Sequence, residues 1–299
     1  MVYADVSLTN KAAWYHARNR PRSKKLKYEL NDALVTKVVD LCERAGNAIL
    51  EIYQRPDFDI NLKDDESPVT AADLAAHEVL ATGLSDLLEG VPVLSEEAEV
   101  PTWEERQGWN TYWIIDPLDG TKEFINRNGE FTVNVALVVH HEAVLGVVHV
   151  PTMNISYAGL KGSGAWKISE AGKQEIKTRA LEKHSPFVLV ASRRHGAKEV
   201  DVLIERLEDR FNEIQLSSMG SSLKLCLVAE GAADLYPRLA PTCEWDTAAA
   251  QAVVEAAGGQ VYKPDLSQLR YNTKDVLLNP WFYVVGDVSF AWETVLQGN

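Results

Sequence analysis

The sequence predicts a layered chain of helices and sheets, with a hairpin-based α+β first half and an α/β second half. The strand stretches 131–139 and 144–150 face each other across a short turn at 140–142, which makes an antiparallel hairpin. Two helical stretches precede them, and after about residue 180 short apolar strands alternate with helical segments, so the second half reads as an α/β layer. No internal repeat and no low-complexity linker separates the halves, so they are expected to pack tightly with a cleft between them.

Each element has its own reason. Leu30, Leu34, Val38, Leu41, Ala45, Ile49 and Ile52 recur at helical spacing, with Asn31 or Asp32 as cap and Pro56 as stop. Residues 57–70 are polar and read as loop. Residues 71–88, rich in alanine and leucine, predict a second helix that Gly90 and Pro92 terminate. A short strand at 91–94 leads into Ser95-Glu96-Glu97, residues 99–111 form a loop or short helix, and Tyr112-Trp113-Ile114-Ile115 is a buried strand. Phe131, Val133, Val135, Leu137 and Val139 alternate as a strand should. Further short strands fall within 155–168. Strands follow at 187–191, 214–216, 233–236 and 281–285, and helices at 197–207, 222–229 and 247–257. The chain divides into a basic extension (1–27), an α+β part (28–182) and an α/β part (183–299).

Bulk composition narrows the function. The 299 residues are 46% hydrophobic and 24% charged, which suits a soluble enzyme with a sizeable core. No apolar run reaches the roughly 18 residues of a membrane span, and no hydrophobic leader directs export. Cys42, Cys226 and Cys243 are too few and too scattered for a disulfide framework or a zinc site, so a reducing cytoplasm is expected. The net charge is −13, but residues 1–27 hold seven basic side chains and one acidic one; the remaining 23 basic and 42 acidic residues leave a body of −19. Such a body excludes polymeric nucleic acid as a partner. The basic leader is expected to be disordered, with weak peripheral membrane contact as the rival reading.

The chemistry concentrates in Asp116-Pro117-Leu118-Asp119-Gly120-Thr121, directly after the buried strand. Two carboxylates three residues apart, followed by glycine and a hydroxyl, offer hard oxygen ligands and free backbone N–H groups at one point, which suits Mg²⁺ and a phosphate together. Glu96 and Glu97 follow a strand, Asp246 follows Trp245 at a helix start, and Asp65 lies in the loop 63–70. If Glu96, Asp116, Asp119 and Asp246 converge, their mutual repulsion calls for divalent cations. Two such ions about 4 Å apart can clamp the attacking and leaving oxygens of a phosphoryl transfer. Thr121, with a second carboxylate such as Asp65, can hold and deprotonate the attacking water. The N–H groups of Gly120 and Thr121 can meet phosphate oxygens.

The stretch 116–125 together with Asn128-Gly129-Glu130-Phe131-Thr132-Val133-Asn134 resembles the bacterial 3′(2′),5′-bisphosphate nucleotidase branch of the inositol monophosphatase superfamily, and the resemblance runs from about residue 30 to the C-terminus. It implies an αβαβα sandwich of the sugar-phosphatase type, with an antiparallel N-terminal sheet and a mixed C-terminal one. It implies Mg²⁺, two or three ions: Glu96, Asp116 and the Leu118 carbonyl on one, and Asp116, Asp119 and Asp246 on a second. Asp65 and Thr121 would activate water, and Asp119, Gly120, Thr121 and Lys122 would meet the scissile phosphate. Glu97 would stand behind Glu96.

The implied substrate is adenosine 3′,5′-bisphosphate, or its sulfated form, handled in sulfur metabolism by a monomer or homodimer. Ser221-Ser222-Leu223-Lys224 has a spacing that places Ser221 and Lys224 on one face of a helix start. With Arg238 and His195, these match positions that hold the retained phosphate and the base in nucleotidase relatives. Inositol-type relatives carry an acidic residue where the sugar hydroxyls bind. Here the stretch 237–245 offers Arg238, although Glu244 is also present. The alternatives are an inositol monophosphate or fructose 1,6-bisphosphate phosphatase with the same chemistry, and a non-catalytic metal- and nucleotide-binding protein.

Overall fold

The computed structural model describes residues 29–55, 60–62, 68–182, 185–191 and 197–297. The basic leader, Asp65 and His195 therefore lie outside the described residues.

Helix α1 (Asp32–Tyr53) opens the fold, capped by Asn31, whose side chain accepts from the Leu34 N–H. Strands β1 (Ile60–Leu62) and β2 (Pro68–Thr70) pair antiparallel where the sequence predicted loop. Helix α2 (Ala71–Leu87) starts at a capping box in which Thr70 and Asp73 bond each other's backbone and side chain. Strand β3 (Val93–Ser95), helix α3 (Trp103–Arg106), strand β4 (Thr111–Asp119) and helix α4 (Thr121–Ile125) carry the central motif.

Strands β5 (Thr132–Val139), β6 (Glu142–Val150), β7 (Ile155–Leu160), β8 (Gly164–Ser169) and β9 (Gly172–Ile176) complete a seven-stranded sheet in simple sequence order from β3 to β9. All its pairings are antiparallel except β3 with β4, so the sheet has one parallel edge that the sequence did not signal.

The second half supplies β10 (Phe187–Val190), α5 (Ala197–Glu208), β11 (Ile214–Ser217), α6 (Leu223–Ala229), β12 (Leu235–Arg238), α7 (Ala248–Ala256), β13 (Gln260–Tyr262), β14 (Phe282–Val285) and α8 (Glu293–Leu296). Its five strands run β11-β10-β12-β14-β13 in a mixed sheet.

Three cores hold five layers together, the middle one filling both faces of the α6/α7 layer. Val38, Ile49, Leu80 and Leu84 of α1 and α2 pack on Trp113, Ile115, Val133 and Val135. Tyr112, Ile114, Ala136 and Val138, on the opposite face of the same strands, meet α6, α7 and the second sheet. Leu203, Leu207 and Trp292 cover that sheet's far side. Successive side chains of β4 thus enter different cores, as strand geometry requires, and the αβαβα sandwich is as the resemblance implies.

Helix α7, which begins just after Asp246, lies against the seven-stranded sheet at two glycines. A Cβ on Gly146 would stand 2.1 Å from the Ala249 carbonyl oxygen, and one on Gly159 2.6 Å from Val253 Cα. Gly146→Ala is therefore expected to cost about 1–3 kcal/mol through overpacking; urea denaturation of the purified variant measures it. No described helix is long and apolar enough to cross a membrane.

Candidate active site

The central motif does not leave the sheet at its proline. Strand β4 runs through to Asp119, and its register against β5 shifts between Asp116 and Asp119. Pro117 has no N–H to give the ladder, and the shift absorbs that loss. The Leu118 N–H turns back to Asp116 Oδ1 at 3.0 Å, which fixes the carboxylate. Gly120, at φ +96, makes the left-handed step into α4.

Carboxylate oxygens of Glu96, Asp116 and Asp246 lie within 4.8 Å of one another. These residues come from the turn after β3, from β4 and from the segment before α7, so distant parts of the chain do converge. Asp119 reinforces them electrostatically. Burial raises the Asp116 carboxyl well above its usual range, and Glu96, Asp119, Asp246 and Asp73 push it further. Burial likewise raises Asp246, with Asp119 next, against the Cys243 N–H that stabilises its charged form at 2.8 Å. Three converged carboxylates with oxygen-only donors, and Asp119 acting on them, fit a hard divalent cation such as Mg²⁺.

This cage makes the protein's stability depend on pH and cation together. A carboxyl with a raised folded pKa stabilises the fold while protonated and loses that contribution as pH climbs from the ordinary carboxylate range through the raised values. Without cations, the protein should melt lower at pH 7.5 than at pH 5. Added Mg²⁺ should raise the melting temperature more at pH 7.5, which differential scanning fluorimetry measures.

The sequence reading missed Asp73. The Thr121 hydroxyl donates to Asp73 Oδ1 at 3.3 Å, and Asp73 Oδ2 is held by the Thr70 N–H at 2.8 Å and the Thr70 hydroxyl at 2.7 Å. Burial raises the Asp73 carboxyl, the Thr70 bonds lower it, and Glu97 raises it again. A signal was present: Asp73, Ala76, Leu80 and Leu84 share the buried face of α2, and a carboxylate on an apolar stripe needs a reason. Ser95 Oγ lies 2.8 Å from His77 Nδ1 and accepts from the Glu97 N–H at 3.2 Å, which braces the turn presenting Glu96 and Glu97.

Beside the cage opens a cavity of about 430 Å³. Its walls include Asp119, Gly120, Lys122, Ser221, Lys224, Arg238 and Asp246. Three cations thus collect in one hollow of an acidic body. Ser221 does not share a helix face with Lys224: it precedes α6 with φ +42, and its carbonyl rather than its hydroxyl meets Lys224 Nζ, at 2.6 Å. Lys224 also donates to the Met219 carbonyl at 3.2 Å, which leaves one of its three protons for the cavity. Burial lowers its pKa to about 8, against the opposing pull of Asp119. Arg238 Nη2 bonds the Pro241 carbonyl at 3.1 Å, while Arg238 Nε and Ser221 Oγ are buried with no hydrogen-bond partner among the described residues. Glu244 is 1% exposed and accepts the Asn272 N–H at 2.8 Å, so it turns away from this cavity.

A two-sheet sandwich with an acidic cage beside a hollow that gathers Lys122, Lys224 and Arg238 along with Asp119, Glu123 and Asp246 is the architecture of a metal-dependent enzyme acting on a phosphorylated small molecule. The chain belongs to the inositol monophosphatase family, whose sequence profile matches residues 31–289. It is 48% identical over 253 residues to the 3′(2′),5′-bisphosphate nucleotidase CysQ of Escherichia coli K12, an alignment covering 84% of this chain and 99% of that protein. The crystal structure of CysQ from Bacteroides thetaiotaomicron superposes with a TM-score of 0.75 at 43% identity, over 85% of this chain and 97% of that one. The suppressor protein SuhB of Bartonella henselae, at 22% identity and a TM-score of 0.72 over 90% of this chain and all of that one, shares the fold.

Proposed function

We propose that this chain is a Mg²⁺-dependent 3′(2′),5′-bisphosphate nucleotidase that hydrolyses the 3′-phosphate of adenosine 3′,5′-bisphosphate to give AMP, and also accepts the sulfated form. The observation that carries the reading is the junction of the Glu96, Asp116 and Asp246 cage with a cavity holding Lys122, Lys224 and Arg238. Glu96, Asp116, Asp246 and Asp119 would hold the cations, with the Leu118 carbonyl as a further ligand. Those cations supply Lewis acidity and charge neutralisation to the transferring phosphoryl group.

The protein's own groups manage the water. With its O–H given to Asp73, Thr121 keeps oxygen lone pairs to accept a hydrogen bond from the attacking water. As the water oxygen bonds to phosphorus and the P–O3′ bond breaks, the water proton passes to Thr121 while the Thr121 proton passes to Asp73, and the departing 3′-oxygen takes a proton from solvent, so that the products are AMP with a free 3′-hydroxyl and inorganic phosphate. The raised Asp73 carboxyl is a stronger base than an ordinary one. Asp65 is the other candidate base and lies outside the described residues.

Lys122 faces the transferred phosphate. Lys224 and Arg238 bring charged donors to the retained 5′-phosphate, with Ser221 beside them in the same cavity wall. A bare polyol offers only neutral hydroxyl acceptors where the phosphate offers charge to Lys224 and Arg238, which disfavours inositol monophosphate.

Phosphate release from adenosine 3′,5′-bisphosphate, inositol 1-phosphate and fructose 1,6-bisphosphate, each with Mg²⁺ and with EDTA, tests the proposal. The nucleotide should exceed the others by at least about 10² in kcat/KM, with no turnover in EDTA. Equal or better turnover of inositol 1-phosphate would replace the substrate. Absence of turnover on all three would favour a non-catalytic binding role.

Lys224 adds a pH dependence. It must be protonated to attract the retained phosphate, so kcat/KM for the nucleotide should fall as pH rises through about 8. Lys224→Met should raise KM and remove that limb; a pH series of initial rates reads both.

A further inference from the structure

Ser222 stands where the two halves of the site meet. Its N–H and its hydroxyl both lie 2.7 Å from Asp119 Oδ2, and the same hydroxyl lies 2.8 Å from the Asp246 backbone carbonyl. Asn134 Nδ2 donates to Ser222 Oγ at 2.8 Å and reaches Asp119 Oδ2 at 3.3 Å, and the Thr132 hydroxyl reaches the same oxygen at 3.4 Å. Ser222 is 2% and Asn134 1% exposed, so water does not compete freely for these bonds.

The arrangement is not that of a helix cap. Ser222 occupies the N-cap of α6, where a serine side chain ordinarily accepts from its own helix, yet it makes no such bond. It turns instead across the interface between the seven-stranded sheet and the segment that carries Asp246. Among the described residues, every hydrogen bond to Asp119 falls on Oδ2. That oxygen is saturated by protein donors, and Oδ1 is left for the cage. One hydroxyl proton serves one acceptor at a time, but the Ser222 N–H stays on Asp119 in either case. The hydroxyl is thus shared between a carboxylate from the first half and a backbone carbonyl from the second.

We propose that Ser222, supported by Asn134, is a positioning residue for catalysis: its hydroxyl ties Asp119 to the Asp246 segment, sets the distance between those two carboxylates and presents Asp119 Oδ1 to the cation they share. This inference rests on the metal-cage reading above. Residues that orient metal ligands in this way typically change metal affinity by about 10- to 100-fold when removed.

The test is calorimetric titration of the cation-free protein with Mn²⁺, for wild type, Ser222→Ala and Ser222→Thr, with the melting temperature of each. Ser222→Ala keeps the N–H on Asp119 and removes only the hydroxyl. The expected result is weakening, by about tenfold or more, of the binding event that depends on Asp119 and Asp246. The event that depends on Glu96 and Asp116 stays within about twofold, and the melting temperature of the cation-free protein is unchanged. Steady-state rates should show kcat falling by a similar factor with KM nearly constant, the pattern of lost transition-state contacts. Ser222→Thr should restore the weakened event, and Asn134→Ala should weaken the same one.

Unchanged Mn²⁺ binding in Ser222→Ala overturns the inference. So does equal weakening of all binding with a lowered melting temperature, which would make Ser222 merely structural. Absence of Mn²⁺ binding in the wild type would instead overturn the cage itself.

Discussion

Asp119→Asn is expected to lower kcat for adenosine 3′,5′-bisphosphate by at least about 10³-fold, the scale on which loss of a transition-state-stabilising contact is felt, while the protein stays folded. Asparagine has the size of aspartate, and its carbonyl oxygen can take the position of Oδ2, where the Ser222 N–H, the Ser222 hydroxyl and Asn134 converge. The geometry survives but the charge does not. Asp119 is among the groups that push Asp116 and Asp246 upward. Removing it relieves repulsion in the cation-free protein, so the melting temperature without Mg²⁺ should hold or rise. The gain from added Mg²⁺ should shrink. Activity and stability therefore move in opposite directions, which misfolding would not produce. Near-normal turnover in this variant would refute the metal role of Asp119.

Asp73→Asn is expected to reduce kcat by about 10²–10⁴-fold, the usual contribution of a positioned general base. The wild-type rate should rise with pH through the raised Asp73 value, because the base works only when ionised, and the variant should lose that acid limb. Thr121→Val should produce a similar loss, since it removes the hydroxyl 3.3 Å from Asp73 Oδ1. The double variant should be little worse than either single one, because residues acting as one relay are not additive. Asp65→Asn provides the contrast: if Asp73 is the base, this variant keeps most of its turnover, and the reverse ranking would return the role to Asp65.

The layered fold was legible in the sequence wherever an element is long enough for its apolar spacing to repeat, whether one face is buried, as in α1, or both, as in β5. The periodicity of α1 and the alternation of β5 gave their types, and their bounds shifted by at most about two residues. Among the three- and four-residue elements, β13 and α8 were not seen, although β3, β10, β11, β12 and β14 were; none of these is long enough for a period to register, so only local composition and flanking signals could mark them. The parallel pairing of β3 with β4 left no local mark either, since pairing partners are chosen by topology.

In the site, Glu96 and Asp246 were readable because each stands beside the end of a regular element, and Asp116 because the Asp-Pro-x-Asp-Gly-Thr motif marks it even though β4 runs on to Asp119; the structure brings their oxygens together. Asp73 was hidden by its second job. Thr70-x-x-Asp73 reads as an ordinary helix start, and only the fold shows Thr121 against the carboxylate's other oxygen. Ser222 was hidden by Ser221 and by the Ser221/Lys224 spacing. The left-handed turn at Ser221 rotates that residue out of register with the helix and leaves its neighbour to reach Asp119. Backbone conformation at a single residue decides such questions, and residue spacing does not encode it.

The most direct test is anomalous diffraction from crystals of this protein grown with Mn²⁺. The expected result is an anomalous peak among the carboxylates of Glu96, Asp116 and Asp246, at oxygen distances near the roughly 2.1 Å of a small divalent cation, with Asp119 Oδ1 turned toward the cluster. Crystals soaked in ample Mn²⁺ that show no peak between these side chains, or peaks only elsewhere on the surface, would contradict it.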